Sequence, residues 1–415
     1  MTDIEVHIDL ADGQRRVGTL HRTPGRGAET VFFEYHADWL ADPDHFSLEP
    51  ALTVGPGPFV PAPGQRLFGS IGDSAPDTWG RRLMQRAERR RAEVEGRAVR
   101  TLSEADYLLG VADVSRLGAL RFRNPGEEVF RAPIGAGVPG LIELGRLLGV
   151  TERILRDEET EEDLQLIFAP GSSLGGARPK ASVVDQHGNL AIAKFPKETD
   201  DYSIERWEAV ALDLARAAGV RTSDHQLLDV GGRAVLLSRR FDRDDDRRIP
   251  FLSALSMMGL RDGEHASYPE LADMLNQHGA RAREDAAELF RRMAFNVLIS
   301  NVDDHLRNHG FLWLGRGGWM LSPAYDLNPT PTDVRARILT TTIDVDDGAC
   351  DLGLVLSVAE YFGLGDAAAK AIVKATAEAT ASWRQVAEAK GARPAEIRRM
   401  ESAFEHDDLR RALAL

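Results

Sequence analysis

The segment DAAELFRRMAFNVLIS, residues 285–300, runs directly into NVDDHLRNHG, residues 301–310. In the first, Leu289, Met293 and Val297 recur at helical spacing, with Phe290, Ala294 and Leu298 beside them. A helix apolar over two adjoining faces must be buried, so it forms the centre of a domain rather than its skin. The second segment then crowds two acids, two histidines, two asparagines and an arginine into ten residues. A loop that merely reversed the chain would need a Gly or a Pro and little else. The core helix therefore delivers Asp303 and, five positions on, Asn308 to one place. FLWLGRGGWML reads as a hairpin with a Gly-rich tip, and SPAYDLNPTP brings Asp326 after it.

The bulk of the chain limits what such a site can serve. With 415 residues, 43% hydrophobic and 28% charged, two or three globular domains are expected. A formal net charge of −14 argues against binding nucleic acid through a whole basic face. One local exception is GRRLMQRAERRRAEVEGRAVR, residues 80–100, where eight arginines face three glutamates. Its ordinary reading is a solvated helix face, and its sharper one a docking surface for an acidic partner or for DNA phosphates. Cys350 is the single cysteine, so no internal disulfide forms, which fits a reducing compartment. No basic, apolar leader opens the sequence and no run nears the ~18 apolar residues of a membrane helix. A soluble, cytoplasmic protein without membrane contact is expected.

Along the chain, residues 1–65 alternate short apolar runs with Gly and Pro and predict a small β-rich unit. The pattern turns helical from Asp77, and residues 101–165 read as helices broken by a Gly/Pro loop. KASVV and LAIAKF read as two strands joined by DQHGN. A helix follows, SIERWEAVALDLARAAG, with Ile204, Trp207, Ala211 and Leu214 on one face and Gly219 as its stop. VLLSRRFDR predicts a strand and DRDDDRR an exposed turn. From about residue 253 the sequence reads as mostly helical apart from the hairpin. There is no internal repeat.

An acid, four residues, an Asn, a hairpin and a second acid form the set that phosphoryl transfer needs. One carboxylate orients the attacking hydroxyl, while the Asn and the other acid hold magnesium against the phosphate oxygens. Alone, D-x-x-x-x-N arises about once by chance in a chain of this length. Its surroundings carry the signal. PGSSLGGARPKASVV sets a Gly- and Ser-rich loop before a strand, but Ala177 and Arg178 stand where a Walker loop needs Lys and then Ser or Thr. A kinase-like loop survives that test, with Gly175 and Gly176 able to approach phosphates closely. Lys194 then sits on the second strand among apolar neighbours, where it needs a partner or a route to water. Glu208, on the next helix, offers the partner that kinases use, although by itself it reads as a solvated glutamate.

Taken together, the chain resembles the HipA-like family, the serine/threonine kinases of bacterial toxin–antitoxin modules. VGTLHRTPGRGAETVFFEYHADWL and FGSIGDSAPDTWGRRLM resemble the family's N-terminal region. SSLGGARPKA resembles its phosphate loop, AKF its ATP-lysine strand, SRRFDR its hinge, VDDHLRN its catalytic loop and SPAYDL its metal-binding segment. The resemblance implies an α+β, bilobal protein-kinase-like fold. Residues 1–105 would form a β-rich N-terminal subdomain, 106–245 the nucleotide-binding N-lobe, and 246–415 a mostly helical C-lobe. It also implies Asp303 as catalytic base, Asn308 and Asp326 as Mg²⁺ ligands, and His305, Arg307 and Tyr325 lining the ATP site. Gly175, Gly176, Ala177, Arg178 and Lys180 would cover the phosphates, and Lys194, paired with Glu208, would reach them. Arg239, Arg240 and Phe241 would contact the adenine, mainly through backbone. Ser173, or its neighbour Ser172, aligns with a serine whose autophosphorylation ejects the loop and silences such kinases. The sequence departs from the family at Arg178-Pro179, at Asp304 in place of a frequent Gly, and at Arg239 in place of an acid.

The implied partners are a helix-turn-helix antitoxin, a protein substrate such as an aminoacyl-tRNA synthetase, and DNA only through the antitoxin. Two other functions use the same residues: a small-molecule or lipid kinase, and a catalytically silent nucleotide-binding corepressor. DVDDGACDLGL has a calcium-loop look, but its Gly is one place early and Val355 replaces the bidentate Glu. It reads as a solvated turn. His225, His278 and His406 show no zinc spacing.

Overall fold

The computed structural model describes residues 3–23, 29–130, 137–168, 176–245 and 247–415. They form two compact units. The first comprises 1–198, 230–233 and 237–261, and the second 199–229, 234–236 and 262–415.

The first unit is built on a five-stranded sheet. Strands β1 (Ile4–Leu10), β2 (Gly13–Thr23), β3 (Thr30–Tyr35), β4 (Pro58–Phe59) and β5 (Leu120–Arg123) lie in the order β4-β3-β2-β1-β5. All its pairings are antiparallel, and β1 carries an irregularity between Val6 and His7. β5 falls inside the stretch that the sequence marks as helical. Only four residues long, it lacks the length to show a period, yet Leu120 and Phe122 alternate inward and Val6 pairs with Phe122. Pairing also sets Glu5 opposite Arg123, and the two side chains bond at 2.7 Å.

The arginine-rich run forms one helix, Thr78–Val94, capped at its start by Asp77, which accepts from the Gly80 N–H. Arg82, Arg89, Arg90 and Arg91 are exposed, as a solvated face requires, and other arginines of the run are held in ion pairs. Arg81 binds Glu104 at 2.7 Å, Arg86 binds Glu159 at 2.9 Å, and Arg97 returns to Glu88 at 2.6 Å. Further on, β6 (Lys180–Val184) and β7 (Leu190–Lys194) form the expected hairpin, with Lys180 directly opposite Lys194.

DRDDDRR is an exposed turn at its tip and something else at its base. Its hairpin, Arg243–Asp244 against Arg247–Arg248, has the expected exposed residues in Asp244, Asp245 and Arg247, but Asp242, which leads into it, is wholly enclosed. Asp242 takes two bonds from Arg240, one from Arg243 and one from the Gly118 N–H. Charge density in a sequence does not distinguish a solvated turn from an internal ion cluster.

The second unit is centred on the Ala282–Ile299 helix. Thirteen of its eighteen residues are buried, which encloses the polar side as well as the two apolar faces. The enclosed charges are paired: Arg292 with Glu288 and the Ser322 carbonyl, Asp285 with Arg221 and the Leu321 N–H. A second core gathers on the Ile204–Ala217 helix, where Trp207 meets Trp383 and Phe404, themselves stacked 4.7 Å apart. The hairpin Gly310–Trp313/Trp319–Leu321 pairs as expected. Residues 322–350 then contain no helix, contrary to the helical reading of this half. Pro323, Pro329 and Pro331 forbid one near the start, and further on Thr341 donates to the Asp304 carbonyl.

Candidate active site

The core helix stops at Ser300, whose backbone is left-handed (φ 54°) although it is not a glycine. Its hydroxyl donates to the Ala403 carbonyl at 2.8 Å and accepts from Arg337 at 3.0 Å. Four described residues other than glycine have positive φ, and two of them, Ser300 and Asp326 (φ 59°), bracket this site. Strain of this kind persists only where the surroundings over-determine it, and it gathers at functional sites.

Below the loop lies a polar pillar. Asn301 donates to Asn296 at 3.0 Å, Asn296 donates to the Tyr268 hydroxyl at 2.9 Å, and that hydroxyl donates to Asp304. The other Asp304 oxygen lies 3.0 Å from His309 Nε2. Burial pushes the Asp304 carboxyl up, but His309 and Tyr268 outweigh it and hold the group below the usual carboxylate range. Thr341 closes the bracket, donating to the Asp304 carbonyl through its N–H at 2.9 Å and its hydroxyl at 2.6 Å. Asp304 is thus the foot of the loop. Its role, with Tyr268 and His309, is not readable from the sequence, since Tyr268 stands 36 positions upstream.

A buried Asp304 turns its neighbour outward. Asp303 is exposed, with one oxygen 2.9 Å from Arg335 Nη1. Its carbonyl accepts from the His305 N–H at 2.9 Å and from Asn308 Nδ2 at 3.2 Å. That second bond fixes the Asn308 amide so that its buried Oδ1 has no hydrogen-bond donor among the described residues. His305 Nδ1 is likewise buried without a bond. Tyr325 donates to the Arg307 carbonyl at 2.7 Å, joining the segment that carries Asp326 to the loop that carries Asn308. Arg307 itself binds Asp262 at 2.7 Å.

Among the described residues no group of three or more His, Cys, Asp or Glu gathers as a metal cage. The residues that could hold a cation here are Asn308, whose Oδ1 is undonated among the described residues, and Asp326. Such a set suits Mg²⁺, which binds through one or two protein oxygens and completes its shell with water and phosphate.

The remaining candidates sit on other elements. Glu208, in the second unit, is buried at 3% exposure, so it is not a solvated helix glutamate. In the first unit, Gly176 adopts φ 107° and Lys194 is half-buried. Ala177 and Arg178 are also half-buried, while Lys180 is enclosed and bound to Asp77. Arg239 reaches Asn189 at 3.2 Å and Phe241 packs near Phe251. Arg240 is committed inward, its backbone N–H to the Leu190 carbonyl and its side chain to Asp242 and the Ser115 carbonyl. Gly175, Ser172 and Ser173 lie outside the described residues.

Comparison with known proteins places this α+β architecture. A model of the HipA-like C-terminal domain matches residues 172–384 and one of the HipA N-terminal domain matches residues 8–105. The chain belongs to the HipA-like family. An inferred kinase of Haemophilus influenzae is 24% identical over 46% of this chain, and one of Sinorhizobium fredii is 28% identical over 38%. The matches span 64% and 42% of those relatives' own lengths. Among solved structures, HipA of Shewanella oneidensis, in a complex with HipB and operator DNA, superposes with a TM-score of 0.67 at 17% identity. That likeness covers 99% of this chain and 96% of the other, and it shows a shared fold. Among the described residues no helix is long and apolar enough to cross a membrane.

Proposed function

We propose that this chain is an ATP-dependent serine/threonine protein kinase, the toxin of a toxin–antitoxin module. The observation that carries the reading is the Asp303–Asn308 turn: an exposed carboxylate and an undonated amide oxygen fixed to one backbone carbonyl. Asp303 takes the proton of the acceptor hydroxyl as that oxygen bonds to the γ-phosphorus, and the bond to the β-phosphate breaks to leave ADP. Asn308 and Asp326 hold Mg²⁺, whose charge offsets that of the phosphate oxygens. His305, Arg307 and Tyr325 shape the nucleotide site, and Lys194 and Glu208 are the further residues that the family resemblance assigns to ATP. Ser173 or Ser172 is the autophosphorylation site.

Membership of the HipA-like family supports a helix-turn-helix antitoxin as partner, with DNA reached through it, and a translation protein such as an aminoacyl-tRNA synthetase as substrate. The test is incubation of the purified chain with labelled ATP and Mg²⁺, followed by mapping of the label. Label on Ser172 or Ser173, or on a serine or threonine of an added protein, is expected. ATP bound without transfer to any protein would instead favour the silent corepressor.

A further inference from the structure

The described part of the phosphate loop is gripped by a helix from far upstream. Two hydrogen bonds and one ion pair link the start of the Thr78–Val94 helix to residues 176–180. The Trp79 N–H donates to the Gly176 carbonyl at 3.3 Å, and Trp79 Nε1 donates to the Lys180 carbonyl at 3.1 Å. Lys180 Nζ lies 2.8 Å from Asp77 Oδ2, with both side chains under 5% exposed. The two ends of this grip come from different family modules, since Asp77 and Trp79 fall within 8–105 and Gly176 to Lys180 within 172–384.

Strand register explains why the pair is charged. Lys180 and Lys194 are direct cross-strand partners, so their side chains leave the same face of the hairpin. Two like charges so placed repel, and burial of Lys180 raises the penalty. Asp77 neutralises Lys180, so one of the two facing charges is balanced within the first unit. The ammonium of Lys180 also sits directly beneath the loop: a Cβ added at Gly176 would meet Nζ at 3.2 Å, and the φ of 107° there already requires glycine.

We infer that Asp77 is a positioning residue for the nucleotide site, and that Lys180 is the loop's anchor rather than a phosphate ligand. The inference rests on the kinase reading for its effect on ATP, but the anchoring itself does not. Asp77→Asn is the suitable variant, because asparagine caps a helix as well as aspartate and only the charge is lost. In the full chain, hydrogen exchange of residues 176–184 should rise in D77N without nucleotide, and the ATP dissociation constant and KM should rise roughly tenfold. Turnover at saturating ATP should fall far less. K180M, which leaves Asp77 buried alone, should weaken ATP binding similarly. The double variant D77N/K180M removes both charges and should recover most of the lost affinity.

Unchanged exchange in D77N would overturn the anchor, whatever the protein does with ATP. A double variant weaker than D77N alone would show that Lys180 touches phosphate itself, which also overturns the assignment. Wild-type protein that binds no ATP would instead sink the kinase reading and the nucleotide half of this inference, leaving the exchange result to decide the anchor.

Discussion

Asp303 and Asp304 are adjacent and identical in chemistry, yet one is solvent-facing and the other is fixed to Tyr268 and His309. Removing the Asp304 charge should loosen the whole loop. Asp304→Asn leaves His309 and Tyr268 with a poorer partner in a dry site, and a loss of about 2–4 kcal/mol is expected. Thermal or urea unfolding measures it, and a melt like that of wild type would show that the pillar does not carry the loop. Arg335 behaves differently. Its bond to Asp303 joins two groups more than half exposed, and such pairs contribute about 0–1 kcal/mol. Arg335→Ala should leave the melting temperature nearly unchanged and raise kcat/KM for a protein acceptor severalfold, since the hydroxyl then has no competitor for the carboxylate. A hundredfold fall would place Arg335 in the catalytic apparatus. At this scale the sequence revealed where the polar groups concentrate, because spacing between Asp303 and Asn308 is local. It concealed Tyr268, Thr341 and Asp77, which reach their partners only through tertiary folding.

Elements were legible where their hydrophobic period ran long. The Ala282–Ile299 and Ile204–Ala217 helices and the β6–β7 hairpin all show in the pattern of apolar residues. β5 did not, being too short to display an alternation, and the DRDDDRR hairpin, although an exposed turn at its tip, gave no sign that Asp242 is enclosed. That hairpin yields a pH prediction. Burial pushes the Asp242 carboxyl up, but Arg240, Arg243 and the Gly118 N–H prevail and hold it at about 2. The folded value lies below the unfolded one near 3.9, so the contribution is complete above about pH 4 and is lost as pH falls through about 2. It amounts to about 2–3 kcal/mol. Chemical denaturation between pH 2 and 5 should show this acid limb, and Asp242→Asn should flatten it while lowering stability near neutrality by about 3–5 kcal/mol, because Arg240 stays buried without its counter-charge. An acid limb of unchanged steepness in that variant would contradict the assignment.

For the whole molecule, composition limited the possibilities and ordered motifs narrowed them. A net charge of −14 excluded a generally basic nucleic-acid binder, and the helix with eight nearby arginines proved to spend several of them on ion pairs. The HipA-like match spans both the N-terminal module and the segment from the phosphate loop past Asp326. What the sequence did not disclose is that the first module reaches the loop of the second through Asp77 and Trp79. No spacing rule connects residues a hundred positions apart.

Phosphoryl transfer by Asp303→Ala, compared with wild type under saturating ATP and Mg²⁺, tests the central claim most directly. ATP affinity should persist within a few-fold while label transfer to the loop serines and to any acceptor falls by at least ~10²–10⁴, the usual range for losing a positioned base. Transfer continuing at the wild-type rate in that variant would contradict the account.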